Sequence, residues 1–474
     1  MMGSRPGLAR APMCFPTTFA DIPDRMIAVR CFFGVLTGFL LLLLQPAGAW
    51  ADWPQFRGPG GQGHSDATDL PLTWSETENV VWKTALPGRG WSSPVEQDGR
   101  IWMTTAIETP ATPEQRAKKL AEAPDPAGLE VVGHVSLRAL CVDFATGRLI
   151  HDLEVFSVDN PDPVHSQNSF ASPTPVIDAG RVYVHFGTYG TACLDAVTGE
   201  TVWTNRELNC DHQNGPGSSP IIWQDLFIVH FDGIDVQYVV ALDKATGRQV
   251  WKADRSGKMN PNGPFRKAYS TPLIVEHAGQ PMLISPGADW VYAYDPATGR
   301  ELWRAHYGKL GFSNAPRPVA GHGMVYISTC FMSPTMLAVR YDGQGDVTES
   351  HILWRNDRQA PKLPSPLLVG DDLYQVSDQG VATCLDARTG EVYWSQRLGG
   401  NFNASPLYAD GRIYFFNRDG VTKVIAPGRK FQLLAENRLE SAFYASPAVV
   451  EKSLVLRTER ALYRIEKADF NGGP

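Results

Sequence analysis

Residues 191–203 read TACLDAVTGETVW, and the same sequence pattern recurs along the chain. In each copy an apolar strand ends in Asp-x-x-Thr-Gly. The Asp and Thr side chains can bond the amides of a tight turn, and the Gly takes the left-handed conformation that leads into the next strand. The five turns are DFATG at 143–147, DAVTG at 195–199, DKATG at 243–247, DPATG at 295–299 and DARTG at 386–390.

A Trp follows the turn in most copies. Trp203, Trp251 and Trp303 stand four residues after the Gly, Trp394 occupies the same slot, and Trp354 belongs to a more divergent copy. Because a large aromatic residue that returns once per repeat is normally core, we expect these side chains to pack between repeats rather than to hold a cofactor.

A Pro that opens a short apolar strand marks the start of each copy. The starts are 40–52 residues apart after a first gap of 79 residues. A period of about 40 to 50 residues is typical of a propeller built from four-stranded blades. The eight starts are Pro94, Pro173, Pro220, Pro272, Pro316, Pro366, Pro406 and Pro447.

The two ends of the repeat region complement each other. The last copy supplies only three strands, whereas Asn79–Lys83 matches a fourth strand with Trp82 in the Trp slot. Pairing 80–84 with the last blade would close the ring and bury both edges. The sequence therefore predicts an all-β fold, a single eight-bladed β-propeller of four-stranded antiparallel blades. The predicted organisation is a signal segment at 1–51, a lead-in at 52–78, the propeller at 79–467 and a tail at 468–474.

The N-terminal residues have the three-part plan of a secretory signal. Residues 31–44 form an uncharged run of 14 residues after two arginines and before a small-x-small site at 49–51. This run is shorter than the roughly 20 residues of a membrane-spanning helix. We predict that translation starts at Met26, that 1–51 is removed, and that the mature protein is periplasmic or extracellular without a stable membrane span. An uncleaved anchor is the alternative.

The composition agrees with short strands and tight turns, since 44 Gly and 36 Pro stand beside 13 Trp, 15 Tyr and 21 Phe. Lys and Arg number 43 against 50 Asp and Glu, a formal net charge of -7. With no long basic run, this balance disfavours a nucleic acid or an anionic lipid surface as a partner.

Two local features stand out from the repeat. Cys141, Cys193 and Cys384 share a slot that is Ala in other copies, so we interpret them as small buried strand residues rather than reactive groups. The long first gap contains an insertion in blade 1 at 108–134. Its Thr-Pro-Glu-Gln at 112–115 is a capping-box start and predicts a helix over 113–122.

The repeat resembles that of the pyrroloquinoline quinone (PQQ)-like β-propeller family, which has the form A-x-D-x-x-T-G-x-x-x-W. The resemblance covers roughly residues 74–467. The runs WPQFRGPGGQG at 53–63 and FGTYGTACLDAVTG at 186–199 resemble an exported bacterial branch of it. Such folds serve quinoprotein dehydrogenases and also a non-enzymatic periplasmic subunit that assists outer-membrane β-barrel assembly, so the fold alone does not select a function.

The resemblance allows the sequence to be compared with the groups that a quinoprotein dehydrogenase needs. A quinoprotein alcohol dehydrogenase would hold PQQ on the axis with Ca²⁺, an Asp base, a Trp floor and a disulfide of adjacent cysteines. The sequence contains no adjacent cysteines, and no motif supplies the converging oxygen ligands that calcium needs. We therefore favour a binding or protein-interaction scaffold, with no catalytic residues, metal ligands or cofactor assigned. The alternative is a PQQ-dependent oxidoreductase acting on an alcohol or a sugar.

The segments that lead from one blade to the next gather around one mouth of the axial channel. They are rich in amides, aromatics and cations, the mixture found in small-molecule pockets, although Asn also suits turns beside water. We predict a site there for a protein partner or a small polar ligand. The candidate residues are Trp91, Asn168, His212, Lys267, Tyr269, Asn314, Asn403 and Tyr444. Cys210 and His212 could share a face, but a metal or nucleophile role lacks a third partner.

Overall fold

The computed structural model describes residues 52–308, 311–329 and 331–468. The predicted signal segment with Met26, most of the tail and Cys330 lie outside the described residues. Among the described residues, no helix is long and apolar enough to cross a membrane.

Eight small antiparallel sheets follow one another along the chain, and we number them as blades 1 to 8 in the order of their inner strands. The inner strands are Val95–Gln97, Val176–Asp178, Ile221–Trp223, Leu273–His277, Val319–Gly321, Leu367–Val369, Leu407–Ala409 and Ala448–Val450. The second strands are Arg100–Pro110, Arg181–His185, Leu226–Asp232, Gln280–Pro286, Met324–Thr329, Asp372–Val376, Arg412–Phe416 and Ser453–Arg457. The third strands are Val132–Asp143, Thr191–Asp195, Gln237–Asp243, Trp290–Tyr294, Thr335–Arg340, Val381–Asp386, Val421–Ile425 and Ala461–Ile465. The outer strands are Leu149–Asp159, Thr201–Asn205, Gln249–Asp254, Glu301–His306, Ile352–Asn356, Val392–Arg397, Leu433–Arg438 and Val80–Ala85.

Short elements complete the fold. Strand His64–Ser65 pairs in parallel with the inner strand of blade 7, and Gly345–Asp346 pairs in parallel with the outer strand of blade 4. A two-residue ladder joins Leu129–Glu130 to Val164–His165. The helices are Pro113–Glu122 and Thr348–His351, and the 3₁₀ turns are Pro59–Gly61, Gly187–Tyr189 and Gly263–Phe265.

The ring closes as the sequence predicts. Val80–Ala85 is the outer strand of blade 8 and pairs antiparallel with Ala461–Ile465, with Thr84 opposite Leu462. Both chain ends of the repeat region therefore share one sheet, and neither leaves its edge open at the junction.

The recurring Trp packs between blades, which confirms its predicted role. The Trp203 indole Nε1 donates to the Lys244 carbonyl at 2.9 Å, so the outer strand of blade 2 is tied to the turn of blade 3. Trp82, Trp251, Trp303, Trp354 and Trp394 make the same type of bond to the following blade. In blade 1 the slot holds His151, whose Nε2 lies 3.0 Å from the Val197 carbonyl of blade 2.

The predicted turns and helix also form. In the first turn, Thr146 donates its amide and its hydroxyl to the Asp143 carboxylate at 2.8 and 2.7 Å. The helix Pro113–Glu122 begins with the predicted capping box, in which Thr112 and Gln115 bond each other's backbone amides. None of its residues is buried, because it stands on the long strands of blade 1, outside the core.

Candidate functional site

A cavity of about 570 Å³ opens on the propeller axis, at the mouth where the inter-blade segments meet. Each inner strand begins at this mouth and ends at the opposite face, where the hairpin to the second strand lies. We call this recess the axial cavity. Its lining comes from blades 1 to 8, from the lead-in and from the insertion of blade 1, so the closed ring is what assembles it.

Hydroxyl groups next to the inner strands form the lower wall of the axial cavity. The Ser93 amide donates to Thr174 Oγ1 at 2.9 Å, and the Thr174 amide donates to Ser219 Oγ at 2.9 Å. The pattern repeats through the Pro-preceding positions of seven blades, which are Ser93, Thr174, Ser219, Thr271, Ser365, Ser405 and Ser446.

Blade 5 places Arg317 in this position instead of a hydroxyl residue. The ring shows that the Pro opening an inner strand is Pro175 in blade 2 and Pro318 in blade 5. The repeat starts at Pro173 and Pro316 were therefore two residues too early, because neighbouring Pro residues satisfy the same short pattern.

The lead-in closes the floor of the cavity. Trp53 exchanges backbone hydrogen bonds with Glu96 in blade 1, and the Gly63 carbonyl accepts from Tyr408 in blade 7 at 2.9 Å. Between these ends, residues 54–62 cross the axis and contact blades 2, 5 and 6. Phe56 lines the cavity from below. The channel therefore ends here as a recess, and we call residues 53–65 the floor segment.

Aromatic pairs form opposite walls. Trp91 and Tyr444 stack with their ring centroids 4.0 Å apart and their planes 13° apart. Phe265 and Phe312 form the second pair, on the other side of the cavity, with their ring centroids 4.7 Å apart. These flat apolar surfaces can pack against apolar or aromatic groups of a ligand.

An amine lies between these walls. Lys267 is 5% exposed, and its Nζ donates to Gln213 Oε1 and to the Pro264 carbonyl, both at 2.7 Å. Burial lowers the pKa of Lys267 to about 8, and the negative charge of Asp125 offsets only part of this decrease. The cavity thus keeps a cation whose hydrogen-bond partners are uncharged.

The insertion of blade 1 covers one side of the mouth. The ladder between Leu129–Glu130 and Val164–His165 fixes the chain after the helix, and Asp125 and Ala127 join the lining. The Arg89 guanidinium strengthens this junction by pairing with Glu130. The end of the insertion therefore lies at the cavity, although its helix does not line it.

Six predicted residues line the axial cavity, namely Trp91, Asn168, Lys267, Tyr269, Asn403 and Tyr444. The Asn168 amide nitrogen already donates to the Asn214 carbonyl at 2.9 Å and to the Pro216 carbonyl at 3.1 Å, so this residue also shapes the wall. Whether any of the six binds a ligand stays a prediction.

Two predicted residues do not line the cavity. His212 is buried behind Gly187, and its carbonyl accepts the Tyr269 hydroxyl at 2.8 Å. Asn314 is buried too, with its Nδ2 donating to the Gly287 carbonyl at 2.8 Å. Each residue supports a neighbouring loop rather than facing the recess, because side chains in irregular segments do not follow the repeat register.

Cys210 and His212 do lie together, with Sγ 3.4 Å from Nδ1. Burial raises the pKa of the Cys210 thiol well above its usual range and lowers that of His212 to about 4. A neutral thiol beside a neutral imidazole is not an activated nucleophile. Within the described residues, no group of three or more Asp, Glu, His or Cys side chains could hold a metal ion.

The lining residues that the sequence did not predict include Phe56, Asp125, Phe265 and six of the seven ring hydroxyl residues. The Gly-rich run after Trp53 was the available signal for the floor segment. Its glycines indicate close backbone contacts, but only long-range pairing shows that those contacts lie on the axis.

The family described as outer membrane protein assembly factor BamB matches the chain over residues 67–253, 235–367 and 287–427. Outer membrane protein assembly factor BamB of Legionella pneumophila is 24% identical over 206 residues, which is 41% of this chain and 50% of that protein. Quinoprotein ethanol dehydrogenase of Pseudomonas aeruginosa is 32% identical over 156 residues, 28% of this chain and 23% of that protein. The chain thus spans half or less of the length of these two relatives.

Among solved structures, the crystal structure of BamB from Moraxella catarrhalis aligns with a TM-score of 0.50 and 16% identity. The alignment covers 77% of this chain and 99% of that chain. At this identity the likeness concerns the fold alone.

Proposed function

We propose a function from the premise that the chain belongs to the family of the outer membrane protein assembly factor BamB. This membership and the propeller fold confirm the resemblance to PQQ-like propellers. On that basis we propose a non-enzymatic, periplasmic interaction scaffold that takes part in the assembly of outer membrane proteins. Its partner is a protein, and the axial cavity is the site that the partner contacts.

The axial cavity is the observation that carries this proposal. It combines a closed floor, two aromatic pairs and a buried amine in a recess of about 570 Å³. Aromatic anchors that pack in desolvated pockets dominate the binding energy of many protein interfaces. We propose that a segment of the partner enters the mouth, packs its apolar side chains on the aromatic pairs and bonds Lys267 and Asn403.

The buried amine supports a binding role on energetic grounds. Keeping Lys267 charged in this environment costs stability, as its lowered pKa of about 8 indicates. A side chain that is unfavourable for folding and lines a cavity is typical of a residue retained for function. Lys267→Met should therefore preserve the fold while it weakens the interaction.

The lining of the axial cavity does not favour the dehydrogenase alternative. Calcium takes about six to eight oxygen ligands, several of them carboxylates. Among the described residues, the one carboxylate that lines the axial cavity is Asp125, which lies on the insertion at the mouth. This donor set therefore does not fit calcium bound with a quinone.

Site-specific photo-crosslinking in the native host tests the proposal. A benzoylphenylalanine at Gln167, which lines the cavity, is expected to capture a discrete protein partner. The matched control carries the same probe at Glu451, in the hairpin of blade 8 on the opposite face. Lys267→Met should reduce capture from Gln167 several-fold without lowering the amount of folded protein.

The assembly role needs a second readout. A strain lacking the gene is expected to contain less folded β-barrel protein in its outer membrane, and wild-type protein, but not Lys267→Met, should restore it. Capture only from Glu451, or unchanged outer-membrane protein levels in the deletion strain, would contradict the proposal.

A further inference from the structure

Two guanidinium groups lie buried together beneath the cavity floor. Arg57 belongs to the floor segment, and Arg317 occupies the hydroxyl position of blade 5; each is 2% exposed. Arg317 Nη1 donates to the Phe56 carbonyl at 2.5 Å, so its charge lies beside the backbone that carries Arg57. This is the only place in the hydroxyl ring, among the described residues, where a cation replaces a hydroxyl.

All partners of these two groups in the described part of the chain are uncharged. Arg57 Nη2 donates to the carbonyls of Gln62 and Pro366, both at 2.8 Å. Arg317 donates to the carbonyls of Pro272 and Phe56 and to Gln55 Oε1. A buried pair of like charges without a counter-charge is strongly unfavourable, since each cation loses its hydration.

The Arg57 guanidinium also keeps unused donors. Its Nε and Nη1 are buried and have no hydrogen-bond partner among the described residues. Buried polar groups in folded proteins are almost always satisfied, so each such donor calls for a partner. Burial together with the charge of Arg317 lowers the pKa of Arg57 to about 9, which agrees with a missing negative charge nearby.

The backbone is shaped to bring these groups together. Arg57 has φ 65°, a left-handed conformation that is costly for a residue with a side chain. Gly61 has φ 70°, and a Cβ there would lie 2.3 Å from Arg317 Cζ. The floor segment thus contains a strained residue and a glycine where the two guanidiniums are buried.

We propose that a small inorganic anion of halide size binds on the propeller axis between Arg57 and Arg317 and locks the floor segment onto blade 5. The anion neutralises the pair and accepts the unused Arg57 donors. The site is separate from the axial cavity, because Phe56 lies between them, and it does not depend on the proposed scaffold function.

Crystals of the protein grown or soaked in sodium bromide test this directly. Bromide scatters anomalously, so an anomalous peak within hydrogen-bond distance of both guanidiniums is the expected result. A difference peak there without anomalous signal, which is the signature of water, would overturn the proposal.

Thermal melting provides a test in solution. At constant ionic strength, replacing sodium gluconate by sodium bromide is expected to raise the wild-type Tm by a few degrees and to saturate. Arg317→Ser, which restores the hydroxyl found in the other blades, and Arg57→Met should both lose this response.

Arg457→Met is the matched control. Arg457 is also buried, with Nη1 bonded to Ser92 and to the Thr104 carbonyl, but it lies in blade 8, outside the proposed site. This variant should melt at a lower temperature yet keep the bromide response. If Arg317→Ser or Arg57→Met fails to fold, the other variant and the bromide crystal still test the anion site. A folded floor variant whose Tm rises with bromide as much as that of wild type would contradict the site.

Discussion

Glu96 lies on the inner strand of blade 1 with its carboxyl group withdrawn from solvent. Its Oε1 accepts the Gly99 amide at 2.7 Å, while Oε2 has no hydrogen-bond partner among the described residues. Burial, with smaller contributions from Asp52, Asp98 and Glu451, raises its pKa from 4.5 to about 7. The folded protein therefore binds a proton here more tightly than the unfolded chain does, and stability is lost as pH rises through this window.

Glu96→Gln should remove this loss, since an amide does not ionise. We expect the variant to be more stable than wild type at pH 8, by on the order of 3 kcal/mol, with the difference shrinking toward pH 5. Urea unfolding at the two pH values measures it. Glu122→Gln, on the exposed helix, is the control and should differ little from wild type at either pH. An equal stability of Glu96→Gln and wild type at pH 8 would show that the pKa of Glu96 is not raised in the folded protein.

The insertion of blade 1 is the element that distinguishes this ring from a regular one. Its helix Pro113–Glu122 buries no residue, yet the chain that follows it places Asp125 and Ala127 at the cavity mouth. The exposed helix therefore adds little to the stability of the protein, whereas the residues after it shape the cavity. The ladder at Leu129–Glu130 holds this part of the chain in place independently of the helix.

Replacing residues 111–128 by a short Gly-Ser linker should leave the Tm within about 2 °C of wild type, since little apolar surface is lost. Partner capture from Gln167 should change markedly, because one side of the mouth opens. Scanning calorimetry and the crosslinking assay measure the two effects. The double variant Lys118→Ala and Glu122→Ala, which alters only the exposed helix, should match wild type in both. A large fall in Tm for the linker variant would mean that the insertion is part of the core.

The residues before the first repeat complete the propeller in two places. Val80–Ala85 completes blade 8 from outside, while the floor segment fills the axis from within. Between them, Leu70 and Trp74 are buried in the core shared by blades 1, 7 and 8. Residues before the first repeat therefore contribute to ring closure, core and floor together.

Deleting residues 52–88 should expose the edge of Ala461–Ile465 and cause aggregation or loss of cooperative melting. Deleting only 52–66 keeps the closing strand, so that variant should still melt cooperatively, at a lower temperature and with an open floor. Calorimetry and size-exclusion chromatography compare the three proteins. If the longer deletion melts like the full-length chain, closure by the N-terminal strand is wrong.

Features that repeat or are local could be predicted from neighbouring residues. The Asp-x-x-Thr-Gly turns, the Trp slot and the spacing of Pro residues predicted eight blades, because each blade is a unit whose turns and strands follow from neighbouring residues. The unmatched fourth strand at 79–83 predicted closure, since one strand was missing from an otherwise regular set. The capping box at 112–115 predicted its helix for the same local reason.

Features that depart from the repeat depend on long-range packing. The floor segment meets blades 5 to 7, more than 250 residues away along the chain. No local pattern encodes that pairing. The same holds for Arg317 in a hydroxyl position, for Asp125 at the mouth, and for His212 and Asn314, which turn away from the axis. The repeat fixes where a backbone segment lies, but packing around an irregular loop fixes where its side chain points. The sequence therefore located the cavity and six of its lining residues, while the floor, Asp125 and the hydroxyl ring required the tertiary structure.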